Sequence, residues 1–147
     1  MTEPEDRPKT QDARVLLFLL AGEQYGLDLT RVEEVFELGE EPRRVIGGPE
    51  WLSGLINHHG QVVPVVELAA LFGLKSAKTA EQALLVDVAG QRLALAVHQI
   101  AGIETLSGGG IGVKEQQTWH RGRLLTLLEP EKLEKALARS LTRRRPT

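Results

Sequence analysis

The residues of this 147-residue chain whose types could do chemistry are four histidines, a few serines, several adjacent carboxylates and one glycine run. His58 and His59 are neighbours in a predicted turn, where consecutive side chains tend to diverge, and His98 and His120 lie far off along the chain. A zinc site draws three or four ligands at local spacings such as His-x-x-x-His. No such spacing is present, so no metal is expected, and the histidines read as surface or interface residues. Ser53 and Ser107 have no His/Asp pattern nearby, and no Gly-x-Ser-x-Gly elbow occurs, which argues against a nucleophilic serine. The run from Gly108 to Gly112 lacks a following Lys-Ser/Thr and does not sit between strand and helix, so it reads as a loop rather than a phosphate cradle. Glu33/Glu34 and Glu40/Glu41 suggest a solvated acidic face, because a general acid/base pair needs apolar burial of at least one member. With no cysteine, thiol catalysis, disulfides and cysteine-ligated metal are excluded. No cofactor is expected, and the chain does not read as an enzyme.

The elements that must position these residues are short and strand-rich. Residues 51–68 are the organising stretch: an apolar run, a polar turn at Asn57 to Gly60, and a second apolar run interrupted by Pro64. This reads as a hairpin. Pro64 cannot donate to a ladder, so the return strand is expected to lie at an edge or to break there. An uncovered edge of Val62 to Val66 would invite pairing, a dimer included. Upstream, Arg14 to Leu20 and Tyr25 to Leu29 form a first hairpin across Ala21 to Gln24. Thr30-Arg-Val-Glu33 has the form of a capping box, so one helical turn is expected before a strand through Val35 to Leu38. Glu67 to Gly73 is a short helix with a C-cap glycine. Leu84, Val86 and Val88 alternate before Ala89-Gly90, and Leu93, Leu95 and Val97 alternate after it, which is a third hairpin. Strands follow at Ile100 to Leu106 and Leu124 to Leu128. A helix then starts at Pro130 with Leu133, Leu137 and Leu141 on one face, and Arg143 to Arg145 lie beyond its end.

Eight to ten short strands linked by hairpins indicate an all-β barrel or paired barrels. Residues 1–13 read as a disordered leader, 14–138 as the folded domain and 139–147 as a basic tail. A formal net charge of -2 gives no electrostatic case for nucleic acid or an anionic membrane. No run approaches the ~18 apolar residues of a membrane span, and a cytoplasmic location is expected. A single-strand nucleic-acid platform would need stacking rings on a basic groove, and aromatics are only 4 % of the chain.

The stretch Trp51-Leu-x-Gly-Leu-Ile-Asn-His-His-Gly-Gln-Val-Val-Pro-Val-Val-Glu-Leu68, with its Gly-x-x-Asn-x-x-Gly-x-x-x-Pro core, resembles the hallmark segment of the CheW-like family. Residues 22–29, Val32-Glu-Glu-Val35, Leu84 to Ile103 and 123–133 fit the same family in order, so the resemblance covers about residues 14 to 137. It implies two small SH3-like five-stranded β-barrel subdomains with short helices and a C-terminal helix. It also implies a non-enzymatic scaffold or adaptor of chemotaxis and motility signalling, located at cytoplasmic chemosensory arrays. The implied partners are the cytoplasmic tip of a methyl-accepting chemoreceptor, a CheA-like histidine kinase and other CheW-like proteins, without nucleic acid or membrane insertion. Carried over by position, receptor binding falls to Val32, Glu34, Val35, Gly54, Asn57, His59 and Gly60. Core packing competes as the explanation for Val32 and Val35, and backbone geometry for Gly54 and Gly60. No residues are implied for the kinase.

The departures from the family pattern carry their own expectations. His59 stands where the family turn, usually Asn-Leu-Arg-Gly, has arginine, so pairing with Glu34 should be weaker here. His98 falls where Asp is common. Ser107 to Arg123 looks short for its strand and loop, which would leave the second barrel incomplete. The chain would then be an accessory protein that binds receptors, or competes with the main adaptor, having lost its kinase contact.

Overall fold

A computed structural model describes residues 13–39, 42–76, 78–106, 117–120 and 122–144. Residues 1–12 of the expected 1–13 leader, Glu40, Glu41, Ser107 with its glycine run, and Arg145 lie outside them. Among the described residues ten strands run in chain order as β1 (Ala13–Leu20), β2 (Glu23–Asp28), β3 (Val32–Glu37), β4 (Leu52–His58), β5 (Gln61–Glu67), β6 (Gln82–Val88), β7 (Gln91–Val97), β8 (Gln99–Leu106), β9 (Gln117–His120) and β10 (Arg123–Leu128). A short helix α1 (Leu68–Leu71) follows β5, and the longer α2 (Pro130–Arg144) follows β10. Among the described residues no helix is long and apolar enough to cross a membrane.

The strands form two five-stranded sheets, each curled into an SH3-like barrel. The terminal barrel, in the order β8-β1-β2-β10-β9, takes strands from both ends of the chain; the middle barrel, β3-β6-β7-β5-β4, is one continuous stretch. Strand alternation gives three apolar cores. Leu16, Phe18 and Leu20 of β1 meet Leu84, Val86 and Val88 of β6 and Leu93, Leu95 and Val97 of β7 in a core shared between the barrels. The opposite faces of the same strands fill the barrels themselves: Val15 and Leu17 with Leu106, Leu125 and Leu127 in one, and Ala83, Leu85, Ala94 and Ala96 with Val63 and Val65 in the other. Burial on both faces explains why β1 reads as a continuous apolar run. Leu133 brings α2 onto the shared core.

Four sequence expectations change. The β5 strand is not an edge: it lies between β4 and β7, with Val63, Val65 and Val66 buried. Pro64 is tolerated because the parallel ladder to β7 starts one residue later, at Val65 opposite Ala94, so the missing N–H is not required there. Only Val62, before that ladder, stays open, at 66 % exposure. The cap of the turn before β3 is Asp28 rather than Thr30; the turn is a 3-10 helix over Leu29–Arg31, and the Asp28 carboxylate accepts from the Thr30 N–H at 2.9 Å. The terminal barrel keeps its fifth strand. Gln117–His120 pairs antiparallel with β10, from His120 opposite Arg123 to Gln117 opposite Thr126, although its polar sequence has no alternation to announce it. Finally, α2 continues through Arg144, so Arg143 and Arg144 lie within the helix rather than beyond its end.

Candidate functional site

The hairpin of β4 and β5 pairs His58 with Gln61 and leaves His59 and Gly60 as a two-residue turn. Both have positive φ, 53° and 83°, the signature of the type I′ turn that matches strand twist. The Asn57 side chain completes the turn by accepting the Gly60 N–H at 3.0 Å. The same geometry recurs at Ala21-Gly22 and Ala89-Gly90, and in the latter Asp87 accepts the Gly90 N–H at 2.8 Å. Asn57 and Gly60 are thus accounted for by the turn. The turn also overturns the expectation that His58 and His59 diverge: the left-handed residue folds one ring against the other, with centroids 4.1 Å apart.

Across from this turn stands β3. Its register shifts between Val32 and Glu34, with Val32 opposite Val86 and Glu34 opposite Leu85. Residues two apart on a regular strand share a face; the bulge at Glu33 puts these two on opposite faces. Val32 follows Val86 and packs on the core shared between the barrels, while Glu34 follows Leu85 toward the inside of the middle barrel. Among the described residues no backbone ladder joins β3 to β4, the two edges of this sheet. Side chains close that seam instead. His58 Nε2 lies 3.0 Å from Glu34 Oε1, and His59 Nε2 lies 3.6 Å from Glu34 Oε2. Phe36 stacks flat on the His58 ring at 4.1 Å, fixing its orientation. The His58 hydrogen bond holds the Glu34 carboxyl below the ordinary carboxylate range, against a smaller upward pull from burial. The side chain of His58 is 14 % exposed and that of His59 76 %, so one ring closes the barrel and the other faces solvent. Arg92 braces the rim, its Nε 3.0 Å from Glu33 and its Nη1 donating to Gln61 at 2.9 Å.

The seven residues singled out by resemblance therefore separate. Glu34, Asn57, His59 and Gly60 come together at the seam. Val35 pairs opposite Leu84, on the face of β3 turned toward the other barrel, and stands 43 % exposed beyond the core that takes in Val32. Gly54 meets a backbone requirement for glycine. Its φ is +148°, and a Cβ there would overlap the Arg43 carbonyl, because residues 42–43 lie along β4 with Arg43 and Leu55 exchanging two 2.8 Å hydrogen bonds. Beside the seam an open groove of about 810 Å³ is lined by Phe36, Leu38, Arg43, Leu55, Ile56 and Val62. Sequence reading missed His58 and Phe36. Strand parity carries the signal for both, since His58 shares a face with Ile56, and Phe36 with Glu34.

A family model described as the CheW-like domain matches residues 14–136. The chemotaxis protein CheW of Klebsiella aerogenes is 27 % identical over 78 residues, which are 53 % of this chain and 46 % of that protein. The chemotaxis protein CheW of Bacillus subtilis is 26 % identical over 76 residues, 52 % of this chain and 48 % of that protein. The matched part thus spans about half the length of these curated relatives. The crystal structure of the scaffolding protein TtCheW from Thermoanaerobacter tengcongensis superposes with a TM-score of 0.72 at 23 % identity, covering 81 % of this chain and 90 % of that one, which shows a shared fold. With most of its length under the family model, the chain belongs to the CheW-like domain family.

Proposed function

We propose that this protein is a non-enzymatic scaffolding adaptor of a bacterial chemosensory pathway, acting in the cytoplasm at receptor arrays and coupling a chemoreceptor tip to a histidine kinase. The observation that supports the reading is β3: an edge strand presenting Val35 to solvent at the margin between two barrels. A surface of that form accepts an amphipathic helix, which anchors through apolar residues at i, i+3 and i+4. The relatives named chemotaxis protein and the scaffolding protein of like fold point the same way. The accessory alternative rested on a missing strand, and five strands in each barrel remove that ground.

The test is calorimetric titration of the full chain with a chemoreceptor cytoplasmic fragment from the same genome, and separately with the regulatory domain of the neighbouring histidine kinase. Micromolar binding to both, about −8 kcal/mol each, supports the adaptor. The exposed substitution Val35→Arg should weaken receptor binding at least about tenfold while leaving the fold intact. Failure to bind any cognate receptor fragment would overturn the proposal; receptor binding without kinase binding would return the chain to an accessory role.

A further inference from the structure

The geometry points to a divalent transition-metal site, of the zinc class, formed by Glu34, His58 and His59 with one coordination position open to solvent. The three side chains each place a ligand atom within 4.8 Å of the others. A nitrogen or oxygen donor binds zinc at about 2.0–2.2 Å, and tetrahedral angles then set neighbouring donor atoms about 3.3 Å apart. His58 Nε2 lies 3.0 Å from one oxygen of the Glu34 carboxylate and His59 Nε2 lies 3.6 Å from the other, both near that edge length. All three donors lie within 4.8 Å of one another, so rotation of the exposed His59 ring and the half-buried Glu34 carboxylate brings them onto one ion. Each neutral ring would present the Nε2 lone pair with its proton on Nδ1.

Placement is fixed before any ion arrives. Phe36 holds the His58 ring from one side, and the His59-Gly60 turn is locked by the Asn57 side chain. The bulge at Glu33 sends Glu34 inward, and Arg92 takes the neighbouring carboxylate of Glu33 out of competition at 3.0 Å. Two imidazoles and one carboxylate suit zinc, nickel or copper; magnesium and calcium prefer all-oxygen shells. Since His59 is largely exposed, the fourth position faces outward, where water or a donor from a docked partner can fill it. The site stands independently of the adaptor reading, because it rests on donor geometry alone.

The test is titration of chelator-stripped full-length protein with Zn²⁺ by calorimetry, with Mg²⁺ as the control. One Zn²⁺ per chain is expected, with micromolar or tighter affinity, and no saturable Mg²⁺ binding. Glu34→Gln and His59→Asn should each weaken Zn²⁺ more than about 100-fold, the upper end of what disturbing even outer-shell partners costs. His59→Asn keeps the turn, since Asn-Gly is a favoured type I′ pair. In the unsubstituted protein, the ring resonances of His58 and His59 should shift on Zn²⁺ addition while those of His98 and His120 stay in place. Absence of saturable Zn²⁺ binding below about 100 µM would overturn the assignment. So would binding that survives both substitutions, or shifts confined to His98 or His120.

Discussion

Each barrel closes across its two edge strands with a histidine and a glutamate, and the two seams differ by one residue. In the terminal barrel His120 of β9 lies 3.5 Å from Glu104 of β8. In the middle barrel His58 of β4 lies 3.0 Å from Glu34 of β3, and His59 adds a second ring to the same carboxylate. One His–Glu pair joins sheet edges that share no ladder among the described residues. A second imidazole, held by a left-handed turn residue, adds to the closure a third donor that reaches solvent. The fourth histidine shows the opposite limit. His98, at the step from β7 to β8, accepts the Ala21 N–H on Nδ1 at 2.9 Å, and its Nε2 sits 3.9 Å from Glu67. Its side chain is 3 % exposed. Burial lowers the His98 pKa and raises that of Glu67, so both move toward their neutral forms despite standing within ion-pair range. Residue type alone does not separate these roles; exposure and the partner of the second ring nitrogen do.

The largest effect should come from the backbone that shapes the middle seam. Gly54→Ala forces a Cβ into the Arg43 carbonyl at a φ that L-residues rarely adopt, and should cost about 3 kcal/mol in urea denaturation. A loss under about 1 kcal/mol would show that the strip at residues 42–43 is free to move, and that β4 is not held against it. Next comes the joint between barrels. His98→Ala leaves the Ala21 amide without its acceptor and opens a small void, for about 2 kcal/mol. His59→Ala should be nearly silent by the same measurement, because alanine already occupies the equivalent left-handed position at Ala21 and Ala89. Equal losses for His98→Ala and His59→Ala would break the distinction between a structural histidine and an exposed one.

A smaller effect follows from pH. The folded-state pKa of His98 lies below its ordinary 6.5, through burial first and the nearby Lys78 charge second. The unfolded chain therefore takes up this proton before the folded one does. Stability from His98 is complete above pH 6.5 and is lost as pH falls toward the folded-state value. His98→Asn keeps an acceptor for Ala21 without titrating, so the fall in unfolding free energy just below pH 6.5 should flatten in that variant. Glu67 carries the opposite sign. Burial raises its pKa from 4.5, with a Ser53 hydrogen bond opposing, so its contribution is complete below pH 4.5 and is lost as pH rises through the folded-state value. Glu67→Gln should steepen the acid-side loss of stability just above pH 4.5. An unchanged profile in both variants would remove the joint as a titrating element.

Much of this architecture was legible in the chain. Type I′ hairpins announce themselves by Gly at 22, 60 and 90, and alternation in β6 and β7 gave both faces of each strand. What escaped has a physical reason in each case. The Gln117–His120 strand is polar and four residues long, and its place is set by pairing with β10 rather than by its own pattern. The interior position of β5 was hidden because Pro64 reads as an edge signal, whereas the register starts the second ladder just past it. The convergence of His58 and His59 on Glu34 needs a bulge in β3 and a left-handed residue in the turn, and it joins positions 24 residues apart in a barrel closure. Local periodicity carries none of that.

The smallest expected effect sharpens the seam comparison most directly. His59→Arg places the residue usual in the family turn here and replaces the imidazole with a fixed charge that can grip the Glu34 carboxylate through two N–H groups. Because His59 is exposed, the new pair is screened by solvent, and the denaturation midpoint should hardly move. Binding of a receptor fragment, measured in chelator so that no ion contributes, should tighten by about two- to fivefold, the range of an exposed charge pair. If affinity instead falls, the imidazole itself makes the contact, and this chain has matched its turn to a different receptor surface. If affinity is unchanged while Val35→Arg abolishes binding, then recognition belongs to the β3 face toward the other barrel, and the seam is left free for a metal ion.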